Sequence, residues 1–279
     1  MADQPMSGGL VTHGIDITRP SGARVYDYLL GGKDNYEADR ELCREIVKIA
    51  PEAREWARAN RRWLKEVITW LAGEARVRRF IDAGCGFPTA DNTHQIAQRM
   101  HLQSSVVYVD NDPSVATHGR ALLLDNDRTH FVAADLTQPD QVMAHPAIAN
   151  LLDAGEPVAL LMGLVLHHID DLEQTRAIVR TYVDALPQGS YLAITHVGNP
   201  QDGGPVEALV TELGENLKDT TPTLAFRSVE QITSLFDGME LIKPGVVRLA
   251  EWHVPGGRLD EDPPHDARDV IYGGLARKR

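Results

Sequence analysis

The amino-acid sequence predicts an α/β protein with a doubly wound, seven-stranded and mainly parallel sheet flanked by helices. From residue 78 onward, short apolar segments alternate with amphipathic ones, which is the pattern of buried parallel strands joined by crossover helices. The first three apolar segments are each followed by a polar or glycine-rich turn. Polar side chains are therefore expected to gather at one edge of the sheet.

Five strands and four intervening helices account for the central part of the chain. The strands are predicted at residues 79–82, 106–110, 130–134, 158–166 and 191–197. The helices between them are predicted at 92–101, 114–124, 138–152 and 172–186. After residue 197 the alternation stops, and the remaining elements are helices at 205–217 and 229–236, strands near 246–252 and 270–276, and a loop at 255–268.

The part of the chain before the sheet is predicted to be helical. Residues 1–22 are polar and rich in glycine, and predict a loosely ordered arm. Apolar residues recur at helical spacing over 35–50 and again over 51–73, where three tryptophans share one face. The predicted organisation is an N-terminal arm and helical cap at 1–73, and an α/β domain at 74–279 with a helical insertion at about 204–238.

The composition limits the partners and the location. Acidic residues outnumber basic ones 40 to 28, for a formal net charge of -12, so the chain has no general attraction for nucleic acid. Its two cysteines, Cys43 and Cys85, lack metal-ligand spacing and suit a reducing compartment. Residues 1–23 lack a signal-peptide core, and the apolar run 158–166 is too short to span a bilayer. A cytoplasmic protein without nucleic-acid or membrane partners is expected.

The most informative motif is the turn that follows the first predicted strand. Gly84 and Gly86 allow the backbone to approach a ligand closely. A dinucleotide fingerprint would need a third glycine three residues after the second, where this chain has Thr89. Asp82, two residues before the first glycine, would repel a pyrophosphate but attract an ammonium group. The cationic methionine end of S-adenosylmethionine fits this turn better than a dinucleotide does.

Two further carboxylates end the second and third strands. Asp110 can accept hydrogen bonds from both ribose hydroxyls of a nucleoside, although an aspartate that caps a strand-to-helix turn is an equally common explanation. Asp135 can accept the adenine amino group while the next backbone N–H, at Leu136, meets a ring nitrogen. The order of the three carboxylates along the sheet outlines one nucleoside-shaped cleft.

These motifs resemble those of class I S-adenosylmethionine-dependent methyltransferases, which have a Rossmann-like fold. More narrowly, the chain resembles an actinobacterial methyltransferase family formerly catalogued as a domain of unknown function. The specific features are the stretch 23–36, Asp-Ala-Gly-Cys-Gly at 82–86, Val-Leu-His-His at 165–168, Leu-Phe-Asp-Gly at 235–238 and the segment 272–278. The resemblance implies a methyl-donor site but carries over no acceptor.

The expected cofactor-binding residues lie at the ends of the first four strands. They are Asp82, Gly84, Cys85, Gly86, Asp110, Asn111, Asp135, Leu136, Met162 and Gly163. No metal is predicted, because the histidines show no ligand spacing and paired aspartates are common in strand-end turns. The acidic charge and the predicted cap favour a small-molecule acceptor.

Two histidines follow the fourth strand, where many methyltransferases place catalytic groups. His167 is the candidate general base, since the ordinary pKa of a histidine lies near neutrality. The alternative is that His167 is a buried histidine with a satisfied hydrogen bond, and this alternative is favoured for His168. A base is not obligatory, because a sulfonium methyl is already activated and positioning the acceptor provides much of the rate.

The segment 23–36 crowds aromatic and polar side chains around two glycines. We expect it to fold across the cleft as a lid, with contacts to the cofactor or acceptor from Tyr28, Lys33, Asn35 and Tyr36. Two alternative functions remain at this point. One is a non-catalytic sensor that binds S-adenosylmethionine, and the other is an NAD-dependent oxidoreductase, which Asp82 and Thr89 disfavour.

Overall fold

A computed structural model describes residues 14–89, 91–122, 126–221, 223–256 and 269–279. Residues 1–13 of the predicted arm and residues 257–268 of the predicted loop lie outside the described residues. None of the helices in the described ranges is long and apolar enough to cross a membrane.

In the described residues, three helices precede the sheet. They are α1 (Gly22–Leu29), α2 (Glu37–Ile49) and α3 (Ala53–Gly73). The predicted helices over 35–50 and 51–73 are confirmed as α2 and α3. Helix α1 was not predicted, because it begins at a glycine, is only eight residues long and is followed by two glycines. Gly31, with φ of +85°, turns the chain out of α1 in a conformation that side chains other than glycine seldom adopt.

The sheet follows the order β3-β2-β1-β4-β5-β8-β6, with β7 also paired to β8. Its strands are β1 (Arg79–Ala83), β2 (Ser105–Asp110), β3 (Thr129–Ala133), β4 (Val158–Gly163), β5 (Tyr191–Val197), β6 (Glu240–Leu241), β7 (Val247–Arg248) and β8 (Ile271–Arg277). Strands β1 to β5 are parallel and β8 is antiparallel to β5. Because β6 and β7 pair with different parts of β8, the eight strands occupy seven positions. The predicted mainly parallel α/β fold is confirmed, although the strand expected at 246–252 shortens to β7.

The prediction for the fourth strand was wrong at its end. Strand β4 stops at Gly163, and Leu164 has a φ of +49°. Residues Leu166–His168 then form a 3₁₀ turn instead of continuing the strand. Leu166 is fully buried, so the apolar run continues through the turn. Hydropathy alone therefore does not show where the strand ends.

Seven further α-helices in the described part of the chain surround the sheet. They are α4 (Thr93–Met100), α5 (Pro113–Leu122), α6 (Pro139–Met143), α7 (Pro146–Leu152), α8 (Leu172–Ala185), α9 (Pro205–Leu217) and α10 (Val229–Thr233). The single helix predicted at 138–152 is divided into α6 and α7, because Pro146 lacks an N–H and begins a new helix instead. The predicted capping box of Ser228 and Gln231 is confirmed at the start of α10.

Both faces of the sheet are covered, so successive strand residues enter different cores. Phe80 belongs to a core that includes side chains of α2, α3, α4 and α9, whereas Ile81 belongs to a core that includes side chains of α6, α7 and α8. Burial on both sides explains why the central strands are almost continuously apolar. It also leaves the ends of the strands as the place where polar side chains can gather.

A buried ion pair holds the first two N-terminal helices together. Arg24 of α1 donates from Nε to Oδ2 of Asp39 at 2.8 Å, and the Asp39 side chain is fully buried. Asp39 also accepts hydrogen bonds from the backbone N–H groups of Ser21 (2.9 Å) and Tyr36 (2.8 Å). One carboxylate therefore fixes the segment before α1, the helix itself and the start of α2.

Replacing Asp39 with alanine is expected to destabilise the protein by about 3–5 kcal/mol, because it leaves the Arg24 guanidinium buried without a counter-charge. Denaturant unfolding followed by circular dichroism measures the change. Glu37→Ala is the matched control, since Glu37 pairs with Arg40 and Arg44 at the surface and its loss should cost far less stability. Equal effects of the two substitutions would contradict the assigned role of Asp39.

Candidate functional site

The carboxyl ends of β1, β2 and β4 meet at one edge of the sheet. Strand β1 lies between β2 and β4, and Asp82 is in register with Tyr108 on one side and Leu161 on the other. The chain leaves β1 through the glycine turn, where the N–H groups of Gly84 and Cys85 donate to the Val109 carbonyl at 2.8 and 3.2 Å. These bonds fix the turn directly against the end of β2.

The two glycines of the turn are needed for different reasons. Both have positive φ values, +74° for Gly84 and +63° for Gly86, which favour glycine. A Cβ on Gly84 would lie 2.5 Å from a methyl group of Val165, so the protein itself fills that space. A Cβ on Gly86 would meet nothing within 4 Å. The open space expected for a ligand therefore lies at Gly86 and not at Gly84.

Asp82 presents a partly buried carboxylate to this space. Its Oδ2 accepts a hydrogen bond from the Thr93 hydroxyl at 2.6 Å. Burial raises the pKa of Asp82, while the bond from Thr93 and the nearby charge of Arg61 oppose the rise. An ammonium group bound here would favour the ionised form, so the carboxylate is suited to a cationic ligand.

Asp110 is positioned by the glycine turn and by the turn after β2. The N–H of Gly86 donates to Oδ2 at 2.9 Å, and the N–H of Asp112 donates to Oδ1 at 3.0 Å. Burial raises the pKa of Asp110, and these two backbone bonds oppose the rise. Each oxygen keeps a further lone pair for a ligand hydroxyl. The capping and ribose-binding interpretations are thus compatible.

The other predicted cofactor residues differ in their access to the edge. Asn111 and Asp135 are exposed, whereas Leu136 is partly buried and its carbonyl accepts from the Tyr182 hydroxyl at 2.9 Å. The Met162 side chain is fully buried in the core, so any contact with a ligand would come from its backbone. At Gly163, a Cβ would lie 3.1 Å from Leu64 of α3, which explains the small residue by packing. Burial raises the pKa of the Cys85 thiol well above its usual range, so this thiol is not nucleophilic.

The segment before α1 crosses the edge of the sheet. The Ser21 hydroxyl donates to Oδ2 of Asp112, which follows β2. Although burial alone would raise it, the pKa of Asp112 is lowered by hydrogen bonds from Ser114 and Ser21. The next residue, Gly22, approaches the turn after β4 so closely that a Cβ would lie 2.8 Å from Nε2 of His168. Residues 21 and 22 therefore bridge the ends of β2 and β4.

The four predicted lid residues lie further along the same segment. Tyr28 lies against the Arg54 guanidinium of α3, and Tyr36 lies against that of Arg24. The Asn35 amide donates to Asp27 Oδ2 at 2.8 Å, while Lys33 is exposed. Three of the four contact the N-terminal helices themselves, and their role toward a ligand stays a prediction.

The two histidines after β4 occupy different environments. His167 is buried, and its Nδ1 has no hydrogen-bond partner within the described ranges. Burial and the neighbouring His168, His196 and Arg227 hold the pKa of His167 well below its usual range, so the ring is neutral at physiological pH. His168 is more exposed and faces Gly22. Across the part of the chain that the structure describes, no three His, Cys, Asp or Glu side chains form a metal site.

Several groups at the edge were not predicted from the sequence. Asp112 lies at the edge because it follows β2, whereas Ser21 and Arg61 belong to the N-terminal segment and reach the edge only through its packing. Arg61 of α3 donates from Nη2 to the Thr89 hydroxyl at 2.6 Å and to the Asp91 carbonyl at 2.8 Å. Thr89, at the position where a dinucleotide site needs glycine, thus accepts a hydrogen bond from a guanidinium.

Comparison with known proteins agrees with this geometry. A family model described as S-adenosyl methyltransferase matches residues 10–279. The chain is 38% identical to a protein from Thermobifida fusca YX that carries a provisional methyltransferase name, with a TM-score of 0.86 over 95% of this chain and 97% of that chain. It is 35% identical to a DUF574 family protein from Streptomyces avermitilis MA-4680, with a TM-score of 0.85 over 95% and 99%.

A more distant structure shares the fold alone. An O-methyltransferase family protein from Burkholderia thailandensis is 16% identical, with a TM-score of 0.53 over 91% of this chain and 70% of that chain. Comparison with curated proteins gives no match.

The fold and the edge of the sheet define a class I methyltransferase. The chain belongs to the S-adenosyl methyltransferase family, also known as DUF574, which confirms the resemblance found in the sequence. It is an enzyme that transfers a methyl group from S-adenosylmethionine. The donor set fits this cofactor, because carboxylates stand at the ends of β1 and β2 and open space lies at Gly86. When bound, the cofactor supplies a methyl group on a positively charged sulfur.

Replacing Asp110 with alanine is expected to weaken binding of S-adenosylhomocysteine by about 1.5–3 kcal/mol, since a charge-assisted acceptor for the ribose is lost. Isothermal titration calorimetry measures the change, and NADH should give no comparable signal. Asp153→Ala, at an exposed position after α7, is the control and should bind normally. Unchanged affinity in a folded Asp110→Ala protein would remove Asp110 from the cofactor site.

If His167 is a general base, His167→Ala should reduce turnover of an identified acceptor while affinity for S-adenosylhomocysteine stays near wild type. Because its pKa is lowered, the wild-type ring stays neutral below pH 6.5, where an ordinary histidine would be protonated. Wild-type turnover should therefore persist below that pH in a rate profile. His130→Ala, at an exposed site on β3, is the control. Loss of stability without a specific loss of turnover would indicate a structural role.

Proposed function

We propose that this methyltransferase acts on a small molecule bound beside the turn after β4. The observation that carries the proposal is a groove of about 530 Å³ between α9 and the segment that precedes α10. Its volume lies within the usual range of small-molecule sites. The net charge of -12 also argues against a nucleic-acid acceptor.

The groove has a mixed lining that suits an acceptor with an apolar body and polar substituents. Its apolar wall includes Val210, Leu224 and Phe226, and its polar groups include Asn199 and Gln231. A non-catalytic sensor of S-adenosylmethionine would not need such a second site. The groove therefore favours an enzyme with its own acceptor pocket.

The wall of the groove is bonded directly to the turn that carries His167. The N–H of Ala225 donates to the His167 carbonyl at 2.8 Å. Arg227 is buried and donates to the carbonyls of Leu166 (3.1 Å) and Ile169 (2.6 Å) and to Nε2 of His196 (2.7 Å). Burial lowers the pKa of His196 to about 3, so this ring is the neutral acceptor that the guanidinium requires. The wall of the proposed acceptor groove is therefore hydrogen-bonded to the turn after β4.

The N-terminal segment completes the proposed site. We infer that residues 1–73 act as an arm and cap, that the sheet domain spans 74–279, and that the insertion at about 204–238 forms the acceptor side. The bridge from Ser21 to Asp112 supports closure over the cofactor, which would exclude water from the transfer. In this proposal Asp82, Gly86, Asp110 and the exposed Asp135 hold the cofactor.

A cytoplasmic location is also part of the proposal. Both cysteines are free thiols, as a reducing compartment allows. Burial raises the pKa of Cys43 to about 12, so this thiol has no reactive role.

Filling the groove tests the acceptor site. A Cβ on Gly214 of α9 would come no closer than 3.9 Å to Phe226, so a large side chain there enters the groove without displacing the core. Gly214→Trp is expected to reduce turnover at least tenfold while leaving affinity for S-adenosylhomocysteine unchanged. Turnover is measured as the formation of S-adenosylhomocysteine from S-adenosylmethionine in the presence of an acceptor. The acceptor is first identified in a panel of small molecules.

Glu212→Trp is the matched control, because Glu212 is an exposed residue of the same helix and does not line the groove. It should retain wild-type turnover. Full activity of a folded Gly214→Trp protein would show that the acceptor binds elsewhere.

A further inference from the structure

A narrow cavity of about 10 Å³ lies between α3 and the glycine turn. Asp82 and Gly86 line one part of it, Thr93 and Tyr108 line another, and Arg61 of α3 completes it. The cavity has room for about one water molecule, so only the terminal atoms of a ligand could enter it. It therefore places a carboxylate and a guanidinium beside the open space at Gly86.

Arg61 has donors that the protein does not use. Its Nη2 holds the loop after the glycine turn through Thr89 and Asp91. In the described residues, no hydrogen bond or ion pair engages its Nε or Nη1. The side chain is only partly buried. The guanidinium is therefore held in place along one edge and keeps donors for a planar anion such as a carboxylate.

Asp82 has a complementary unused atom. Its Oδ2 accepts from Thr93, whereas its Oδ1 takes part in no hydrogen bond within the described part of the chain. Arg61 lowers the pKa of Asp82 by its charge, but the two side chains form no ion pair within 4.0 Å in the described ranges. Two opposite charges thus face one cavity without neutralising each other by contact.

The chemistry that satisfies both groups is a zwitterionic α-amino acid. Its ammonium group would meet Asp82 and its carboxylate would meet Arg61. The methionine end of the cofactor is such a group, and the nucleoside end cannot replace it because it carries neither charge. We propose that Arg61 binds the α-carboxylate of S-adenosylmethionine. This inference rests on the cofactor of the family and not on the proposed acceptor groove.

The competing explanation is that Arg61 only ties α3 to the loop. Lys65, one turn later on α3, does this by pairing with Asp91 at 2.9 Å, and Lys65 does not line the cavity. A structural tie would hold the loop whatever ligand is bound. A carboxylate contact would matter only for ligands that have a carboxylate, which is the difference that an experiment can measure.

The test compares S-adenosylhomocysteine with its decarboxylated analogue by isothermal titration calorimetry, using the full-length protein. Arg61→Ala is expected to bind S-adenosylhomocysteine roughly 10- to 100-fold more weakly, as for the loss of a charged hydrogen bond. Its affinity for the decarboxylated analogue should change less than about threefold. Arg61→Lys should be intermediate, because it keeps the charge but loses the planar pair of donors.

Lys65→Ala is the control and should bind both ligands as the wild type does. Arg61→Gln keeps part of the side-chain stem and replaces the alanine variant if that variant unfolds. Equal weakening of both ligands, or no weakening of either, would overturn the proposal. The acceptor site plays no part in these measurements, so its failure would not affect the result.

Discussion

The candidate site depends on one constraint, which is that parallel strands end at the same edge of a sheet. Strands β1 to β5 run in one direction, and the central strands β1, β2, β4 and β5 are buried on both faces, so mainly the strand ends offer positions for polar groups. The glycine turn, Asp82 and Asp110 all follow from this arrangement. Strand β8 is antiparallel to β5, so it contributes its amino end to that edge.

The N-terminal helices and the segment before them contact this edge. The fully buried Asp39 carboxylate fixes α1 and α2 and accepts a hydrogen bond from the N–H of Ser21. The hydroxyl of Ser21 in turn donates to Asp112. Helix α3 brings Arg61 to the glycine turn from the other side. A second buried arginine, Arg227, similarly fixes the turn after β4 to the insertion. Arg61 and Arg227 thus fix the loop after the glycine turn and the turn after β4, respectively.

The sequence predicted the parts of the site that depend on strand pattern. Asp82, Asp110 and Asp135 could be placed at strand ends because short apolar segments have a recognisable length and end in polar turns. Arg61 and Ser21 could not be found in this way, because their positions result from the packing of helices that lie far from the turn in sequence. Hydropathy also gave the wrong end for β4, since the buried Leu166 belongs to a turn. The use of Gly84 was only partly foreseen, because its missing side chain makes room for Val165 and not for a ligand.

The most direct test of this account is a crystal structure of the protein with S-adenosylhomocysteine. The account predicts that the ribose hydroxyls contact Asp110 and that the amino-acid end lies at Gly86 between Asp82 and Arg61. It also predicts that the sulfur faces the turn after β4, on the side of the groove lined by Phe226. S-adenosylhomocysteine bound in that groove, or an amino-acid end directed away from Asp82, would contradict it.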